Sequence, residues 1–281
     1  MDYIREMDVC VEAVRTAGIH ILNKHFNSGI RIDSRTKDWG EIVTPADTDS
    51  EKIIMDIIKR DFPESVFFSE ETSEKAPINS NLLWFIDSLD GTTNAFNLGD
   101  YFSVSVALYT NGIAIAGAVY RPVTRELFSA KKGGGAYYDK DGKISKIISP
   151  KEKIDLQRNI ISTSFQYGNN PEIKLCNLSN EELRRSLKHN HVRIKGSAAL
   201  DICYVALGNH AVHYQGFLNP YDYAAAGLIL QEAGGKLTDI YGNPYIVGQK
   251  SILACMNEET YIFMRGVIDR AKLNMEGRIE N

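Results

Sequence analysis

The chain is expected to adopt an α/β fold of the layered α+β kind, on three observations. The stretch up to Ile58 carries helical periodicity, the middle is a run of short alternating segments joined by turn signals, and strands and helices alternate again after Pro150.

The elements follow in order. Ile4, Met7, Val11, Val14, Gly18 and Ile21 recur at three- and four-residue steps, which marks an amphipathic opening helix. Thr36 to Glu41 is polar and reads as a loop. Ile42-Val43-Thr44-Pro45 then leads to a second helix that Asp47 or Thr48 can cap, with Ile53, Ile54, Ile57 and Ile58 as its buried stripe. Beyond Pro63 come β-like runs, Val66-Phe67-Phe68 and Leu82 to Ile86, each ending in carboxylates. Val104, Val106 and Leu108 alternate with small or polar residues, Asn111-Gly112 signals a hairpin, and Ile113 to Tyr120 returns. With a further strand at Glu126 to Ala130, the middle reads as an antiparallel meander. Asn159 to Ser162 and His191 to Ile194 are strand candidates; Ala198 to Leu207 and Tyr223 to Ala233 are helix candidates, the latter closed by Gly234-Gly235. A cut near Pro150 is expected to separate an N-terminal α+β lobe, 1–150, from a C-terminal α/β lobe, 151–281.

Composition bounds the function. With 281 residues, 43% hydrophobic and 24% charged, the chain can bury a large core, which excludes disorder and fibrous repeats. The length suits either two subdomains or one large unit. Lys+Arg 32 against Asp+Glu 36 gives a net charge of -4, without the basic excess of a nucleic-acid binder. The start, Met1 to Glu6, leads into no apolar signal segment, and no apolar run approaches the roughly 18 residues of a membrane helix. Cys10, Cys176, Cys203 and Cys255 are scattered, as in reduced cytosolic proteins. A cytoplasmic protein without nucleic-acid or membrane partners is expected.

The densest chemistry is Trp84-Phe85-Ile86-Asp87-Ser88-Leu89-Asp90-Gly91-Thr92-Thr93-Asn94. An apolar strand runs into two aspartates three apart, then a glycine and two hydroxyls. Such aspartates, with the Leu89 carbonyl, can face one point and hold a hard cation such as Mg²⁺. The amides of Gly91 and Thr92 at an incipient helix can hold a phosphate. An Asx turn with Asp-Gly punctuation explains the same residues without a metal. Ser69-Glu70-Glu71-Thr72 and Asn219-Pro220-Tyr221-Asp222 repeat the pattern, where a solvated acidic loop and a helix cap are the plainer readings. Together the segments supply acids for a site of two or three metals, which can clamp both oxygens of a phosphoryl displacement.

The order of these motifs resembles the inositol monophosphatase family of Mg²⁺-dependent, typically lithium-sensitive phosphatases. The resemblance runs from Lys37 to about Asp239 through Thr44-Pro45-Ala46-Asp47, Glu70-Glu71, Asp87 to Asn94, Gly196 to Asp201, and Tyr221 to Gly227 followed by Glu232 to Gly235. It implies an αβαβα sandwich with two sheets between helix layers, and a homodimer. It also implies that Glu70, Asp87 and the Leu89 carbonyl bind one Mg²⁺, that Asp87, Asp90 and Asp222 bind a second, and that Glu70 helps with a weaker third. Thr92, paired with Asp47 and helped by Glu70, would orient and deprotonate a metal-activated water. The amides of Gly91 and Thr92 would hold the phosphate, Asp90 would also contact the substrate, and Ser197, Ala198 and Gln215 would face the leaving group. Lys37 matches a lysine in the family's mobile loop, an exposed loop lysine being the alternative.

Three departures from the family pattern stand out. Ser88 replaces the usual proline between the aspartates and Ser69 the usual glycine before Glu70. Gln215 stands where members selective for inositol phosphates usually carry a glutamate, which puts strict inositol specificity in question. Other features carry less. His189, His191, His210 and His213 read as surface or satisfied histidines, and Lys131-Lys132-Gly133-Gly134-Gly135 as a turn without phosphate-loop spacing.

The expectation is a Mg²⁺-dependent hydrolase of inositol 1-phosphate or a related sugar or polyol phosphate. Fructose-1,6-bisphosphatase, 3′-phosphoadenosine 5′-phosphate phosphatase and histidinol phosphatase are alternatives, and a non-catalytic regulatory protein on the same scaffold is a further one. Two bound Mg²⁺ would offset the net -4 where the phosphate sits.

Overall fold

The computed structural model describes residues 3–26, 35–36, 42–71, 75–151, 156, 158–187 and 191–277. Helix α1 (Ile4–His20) continues into a π-helical turn (Ile21–Phe26), and β1 (Arg35–Thr36) pairs antiparallel with β2 (Ile42–Val43). Thr36 thus lies in a strand, and residues 37–41, expected as loop, fall outside the described residues. Helix α2 (Pro45–Asp61) follows.

The expected meander is a seven-stranded sheet in chain order: β3 (Val66–Ser69), β4 (Leu83–Asp90), β5 (Ser103–Thr110), β6 (Ile113–Arg121), β7 (Glu126–Lys131), β8 (Gly135–Lys140) and β9 (Lys143–Ile147). β3 runs parallel to β4 and the later pairs are antiparallel. The short helix α3 (Thr92–Phe96) links β4 to β5. The second sheet takes the order β11 (His191–Arg193), β10 (Ile160–Thr163), β12 (His210–Gln215), β14 (Ile252–Cys255), β13 (Lys236–Thr238). Helices α4 (Pro171–Ser186), α5 (Ala198–Leu207), α6 (Pro220–Ala233) and α7 (Glu258–Met275) complete the described elements.

Alternation along β4 shows the layering. Trp84 and Ile86 face α1 and α2 in one core cluster, while Leu83 and Phe85 face α5 and α6 in the other. α5 is buried nearly all round, as a helix without a polar face must be, so it sits with α6 between the two sheets. The small residues of α6 allow close approach: a Cβ on Gly117 of β6 would lie 3.0 Å from the Cα of Ala225. α4 and α7 cover the outer face of the five-stranded sheet. The order is therefore αβαβα.

Local chemistry corrects two expected helix starts. The N-cap of α2 is Thr44, not Asp47 or Thr48, because Pro45 is pre-set for the first helical position and Thr44 is extended. For the same reason α6 begins at Pro220 rather than Tyr223, with Asn219 as its N-cap; Gly234 closes it in the left-handed conformation as expected. Helices α4 and α7 were not anticipated above, although Met264, Val267, Ile268 and Ala271 of α7 carry helical spacing and are buried.

Candidate active site

The site begins with a bulge in β4. Asp87 pairs with Ser105 and Asp90 with Ser103, so three steps along β4 match two along β5. In a regular strand, residues three apart face opposite sides; the extra residue turns both aspartates to one side. That side faces α5 and α6. Asp90 Oδ2 there accepts hydrogen bonds from Ser197 Oγ (2.5 Å), Ala199 N (3.0 Å) and Ser103 Oγ (3.2 Å), and Oδ1 accepts from Ala198 N at 3.3 Å. Ser197 is the N-cap of α5, so the positive end of that helix points at Asp90. The chain leaves β4 through Gly91 at φ +94, where a Cβ would meet the carbonyls of Tyr101 and Gly196 at 3.0 and 3.1 Å. Only glycine fits there.

Two helix starts deliver the next carboxylates by the same device. In Thr44-Pro45-Ala46-Asp47 and Asn219-Pro220-Tyr221-Asp222 the aspartate is the third helical residue after the N-cap and closes a capping box. Asp47 Oδ2 accepts from Thr44 N at 2.8 Å, and Asp222 Oδ2 from Asn219 N at 2.6 Å. Asp222 is thus fixed by the cap, but by its side chain at the third position rather than as the N-cap itself. Asp47 Oδ1 accepts from Thr92 Oγ1 at 3.0 Å, and the Leu89 carbonyl lies 2.9 Å from the same hydroxyl.

Glu70 follows β3, with its amide donating to the Ile86 carbonyl at 3.2 Å. Its neighbour Glu71 donates its amide to Glu51 Oε2 of α2 at 3.0 Å. The strand-end acids are thereby anchored to α2, one helical turn beyond Asp47.

Electrostatics shows that these acids converge. Burial pushes the Asp87 carboxyl well up, and the charges of Glu70, Asp90 and Asp222 each push it further. Burial also raises Asp90, to about 6, against the opposing donors of Ser197, Ala199, Ser103 and Ala198. Asp47 is raised by burial despite its bonds to Thr44 and Thr92. Asp87 Oδ1 accepts from Leu89 N at 3.2 Å, so the Asx contact and the acid cluster coexist. This donor set of carboxylates and one carbonyl suits a hard divalent cation, whose charge would relieve the mutual repulsion.

A cavity of about 200 Å³ opens beside the cluster, lined by Asp90, Asp222, Ser197, Ala198, Gly196, Gln215 and Asp201, with Thr163, Ser164 and Leu218. Every leaving-group residue expected above therefore reaches it. Lys37 and His189 lie outside the described residues. His210 and His213 are buried in β12, their pKa values lowered to about 3 chiefly by burial, and His213 Nδ1 shares a hydrogen bond of 3.0 Å with Ser162 Oγ. The Lys131 to Gly135 segment is the β7–β8 turn; the amides of Gly133 and Gly135 donate to Glu232 at 2.7 and 2.8 Å.

A family model described as the inositol monophosphatase family matches residues 4–268, from the first residue of α1 into α7. The chain belongs to this family. Among its relatives, the Nus factor SuhB of Escherichia coli (strain K12) is 31% identical over 276 residues, covering 90% of this chain and 96% of that one. Inositol monophosphatase 1 of Sus scrofa is 31% identical over 255 residues, covering 90% of each. The extragenic suppressor protein suhB from Bartonella henselae superposes with a TM-score of 0.83 at 30% identity, covering 94% of this chain and 98% of that chain. An IMPase from Thermotoga maritima gives 0.81 at 28%, covering 96% and 99%.

Against the family pattern, neither Ser69 nor Ser88 has a positive φ, so both serines fit without left-handed backbone. Their side chains are fully buried. Reading motifs missed two supports of the site, Glu51 behind Glu71 and Ser103 on Asp90, and gave no role to Asp201, the last residue of the Gly196 motif, which accepts from Tyr101 Oη at 2.7 Å. Glu51 had a signal, since it lies four residues after Asp47 on one helix face. Ser103 had none, because only the bulged register sets it opposite Asp90.

All four cysteines are free and buried. No helix among the described residues is long and apolar enough to cross a membrane.

Proposed function

We propose that this protein is a Mg²⁺-dependent phosphate monoester hydrolase acting on a small phosphorylated polyol or sugar, such as inositol 1-phosphate. One observation carries the reading: the β4 bulge and the α6 capping box bring Asp87, Asp90 and Asp222, with Glu70, into mutual repulsion at the mouth of a polar cavity. Glu70, Asp87 and the Leu89 carbonyl would hold one Mg²⁺, Asp87, Asp90 and Asp222 a second, and Glu70 would share in a third. Bound there, the ions supply positive charge to the phosphoryl oxygens and make water a better nucleophile.

The rest is the work of the chain's own residues. Thr92 Oγ1 has two acceptors, and the carboxylate of Asp47 is the stronger. Donating to Asp47, the hydroxyl presents its lone pairs to the attacking water, accepts its proton and passes its own on. The raised pKa of Asp47 makes it the better proton acceptor. The Gly91 and Thr92 amides face the phosphate end. Ser197, Ala198 and Gln215 line the space for the leaving group, and the amide of Gln215 suits a hydroxyl without demanding an inositol ring.

Homodimer formation, cytoplasmic location and lithium sensitivity belong to this reading through the family. Relatives named Nus factor keep a regulatory, non-catalytic role as the second reading. The intact acid set, with Thr92 paired to Asp47, favours catalysis. Phosphate release from inositol 1-phosphate, fructose bisphosphate, 3′-phosphoadenosine 5′-phosphate and histidinol phosphate tests it. No Mg²⁺-dependent release from any of these, together with no Mg²⁺ uptake by calorimetry, would leave the regulatory role standing.

A further inference from the structure

Away from the acid cluster, three potential metal ligands meet where α1 ends. His20 is the last residue of α1, His25 lies in the π-helical turn, and Asp49 lies in α2. In an α-helix, residues five apart diverge by about 140° around the axis. The i→i+5 bonding of a π turn brings them onto one face, and such turns concentrate at functional sites. The two imidazole rings accordingly meet edge to face, 5.8 Å between centroids.

Nε2 of His25 lies 3.5 Å, and Nε2 of His20 3.7 Å, from Asp49 Oδ2, and the three atoms are within 4.8 Å of one another. Both separations exceed the usual 2.7–3.2 Å of an N–H···O bond. They approach the ligand-to-ligand edge of about 3.3 Å that follows from tetrahedral coordination with bonds of 2.0–2.1 Å. His20 Nε2 is buried and has no hydrogen-bond partner among the described residues. Lys24 Nζ sits 2.5 Å from the same Asp49 oxygen, a cation already held where an ion would bind.

We propose that His20, His25 and Asp49 form a second metal site, for a borderline transition ion of the zinc, cobalt or nickel class. Two imidazoles and one carboxylate favour such ions over Mg²⁺. Asp49 is about a third exposed, which leaves a fourth position open to water. Asp47 and Asp49 lie about 200° apart around α2, so this site is separate from the Asp47–Thr92 pair. Binding displaces Lys24 from Asp49.

The test is Co²⁺ titration of the metal-stripped full-length protein, with excess Mg²⁺ present to occupy the acid cluster. One equivalent is expected to develop the intense visible bands of four-coordinate Co²⁺ and to be displaced by Zn²⁺. His20→Ala and His25→Gln should each weaken Co²⁺ binding by at least roughly 100-fold, since even outer-shell losses cost 10–100-fold. Lys24→Ala should tighten it several-fold. Six-coordinate spectra unaltered by His20→Ala would overturn the proposal. Should the histidine variants fail to fold by circular dichroism, unchanged or weaker Co²⁺ affinity in Lys24→Ala, a change at an exposed residue, would overturn it equally.

Discussion

Asp90→Asn is expected to stabilise the metal-free protein while removing its activity. The Asp90 carboxyl, at about 6 against an ordinary 3.8, holds its charge at pH 7 at a disadvantage of about 3 kcal/mol. Asparagine removes that charge. Its carbonyl can take the Oδ2 position and keep the bonds from Ser197, Ser103 and Ala199, but its amide then faces the Ala198 N–H, forfeiting a weak 3.3 Å bond at about 1 kcal/mol. The net gain is about 2 kcal/mol, or about 3 °C in Tm for a chain of this length. Removing one neighbouring charge also relaxes Asp87, in the same direction. Between pH 3.8 and 6 the folded wild type takes up a proton that the unfolded chain does not. The variant's advantage is therefore full above about pH 6 and fades as pH falls toward 3.8. Differential scanning calorimetry in EDTA across this range measures the effect. Adding Mg²⁺ should raise the wild-type Tm, by about 2.7 kcal/mol of stability for a site filled at 100 times its Kd, and raise the variant's by less, since the variant keeps the Glu70, Asp87 and Leu89 ligands but loses a ligand of the second ion. Phosphate release should fall by at least about 10³-fold, the scale of losing several kcal/mol of charge stabilisation. A variant less stable than wild type at pH 7 in EDTA, or one with wild-type Mg²⁺-dependent turnover, would refute the reasoning.

Other expectations test other parts of the site. Thr92→Val should lower kcat by about 10²–10⁴-fold with Mg²⁺ affinity retained, the range for a proton-transfer group, and unchanged kcat would remove Thr92 from the relay. Gly91→Ala forces a side chain into φ +94 and against two carbonyls; urea denaturation should show a loss of at least about 1–3 kcal/mol, and wild-type stability would contradict the strained geometry. Gln215→Glu should raise kcat/KM for inositol 1-phosphate relative to fructose bisphosphate, and an unchanged ratio would show that this residue does not read the leaving group. His210 and His213, held at about 3, should show neutral imidazole resonances by NMR at pH 5; an imidazolium signal from either would contradict their burial.

Much of this architecture is visible in the residues because its causes are local. Hydrophobic spacing marks α1 and α2, Asn111-Gly112 marks the β5–β6 hairpin, and the apolar run Ala198 to Leu207 matches α5 residue for residue. The acids were legible too, since their identity and order along the chain are one-dimensional facts. The boundaries were less so. β4 extends through both aspartates to Asp90, because pairing with β5 outweighs the turn propensity of Ser88 and Asp90-Gly91.

The sequence by itself determined which groups are available: an intact set of carboxylates, a threonine to pair with Asp47, and a glycine where no side chain fits. Only the tertiary structure decided where they point. Whether Asp87 and Asp90 share a face depends on one extra residue in the register against β5, and register is a property of two strands. That His20 and His25 share a face with Asp49 depends likewise on a π turn and a neighbouring helix, geometry that their spacing in the chain does not contain.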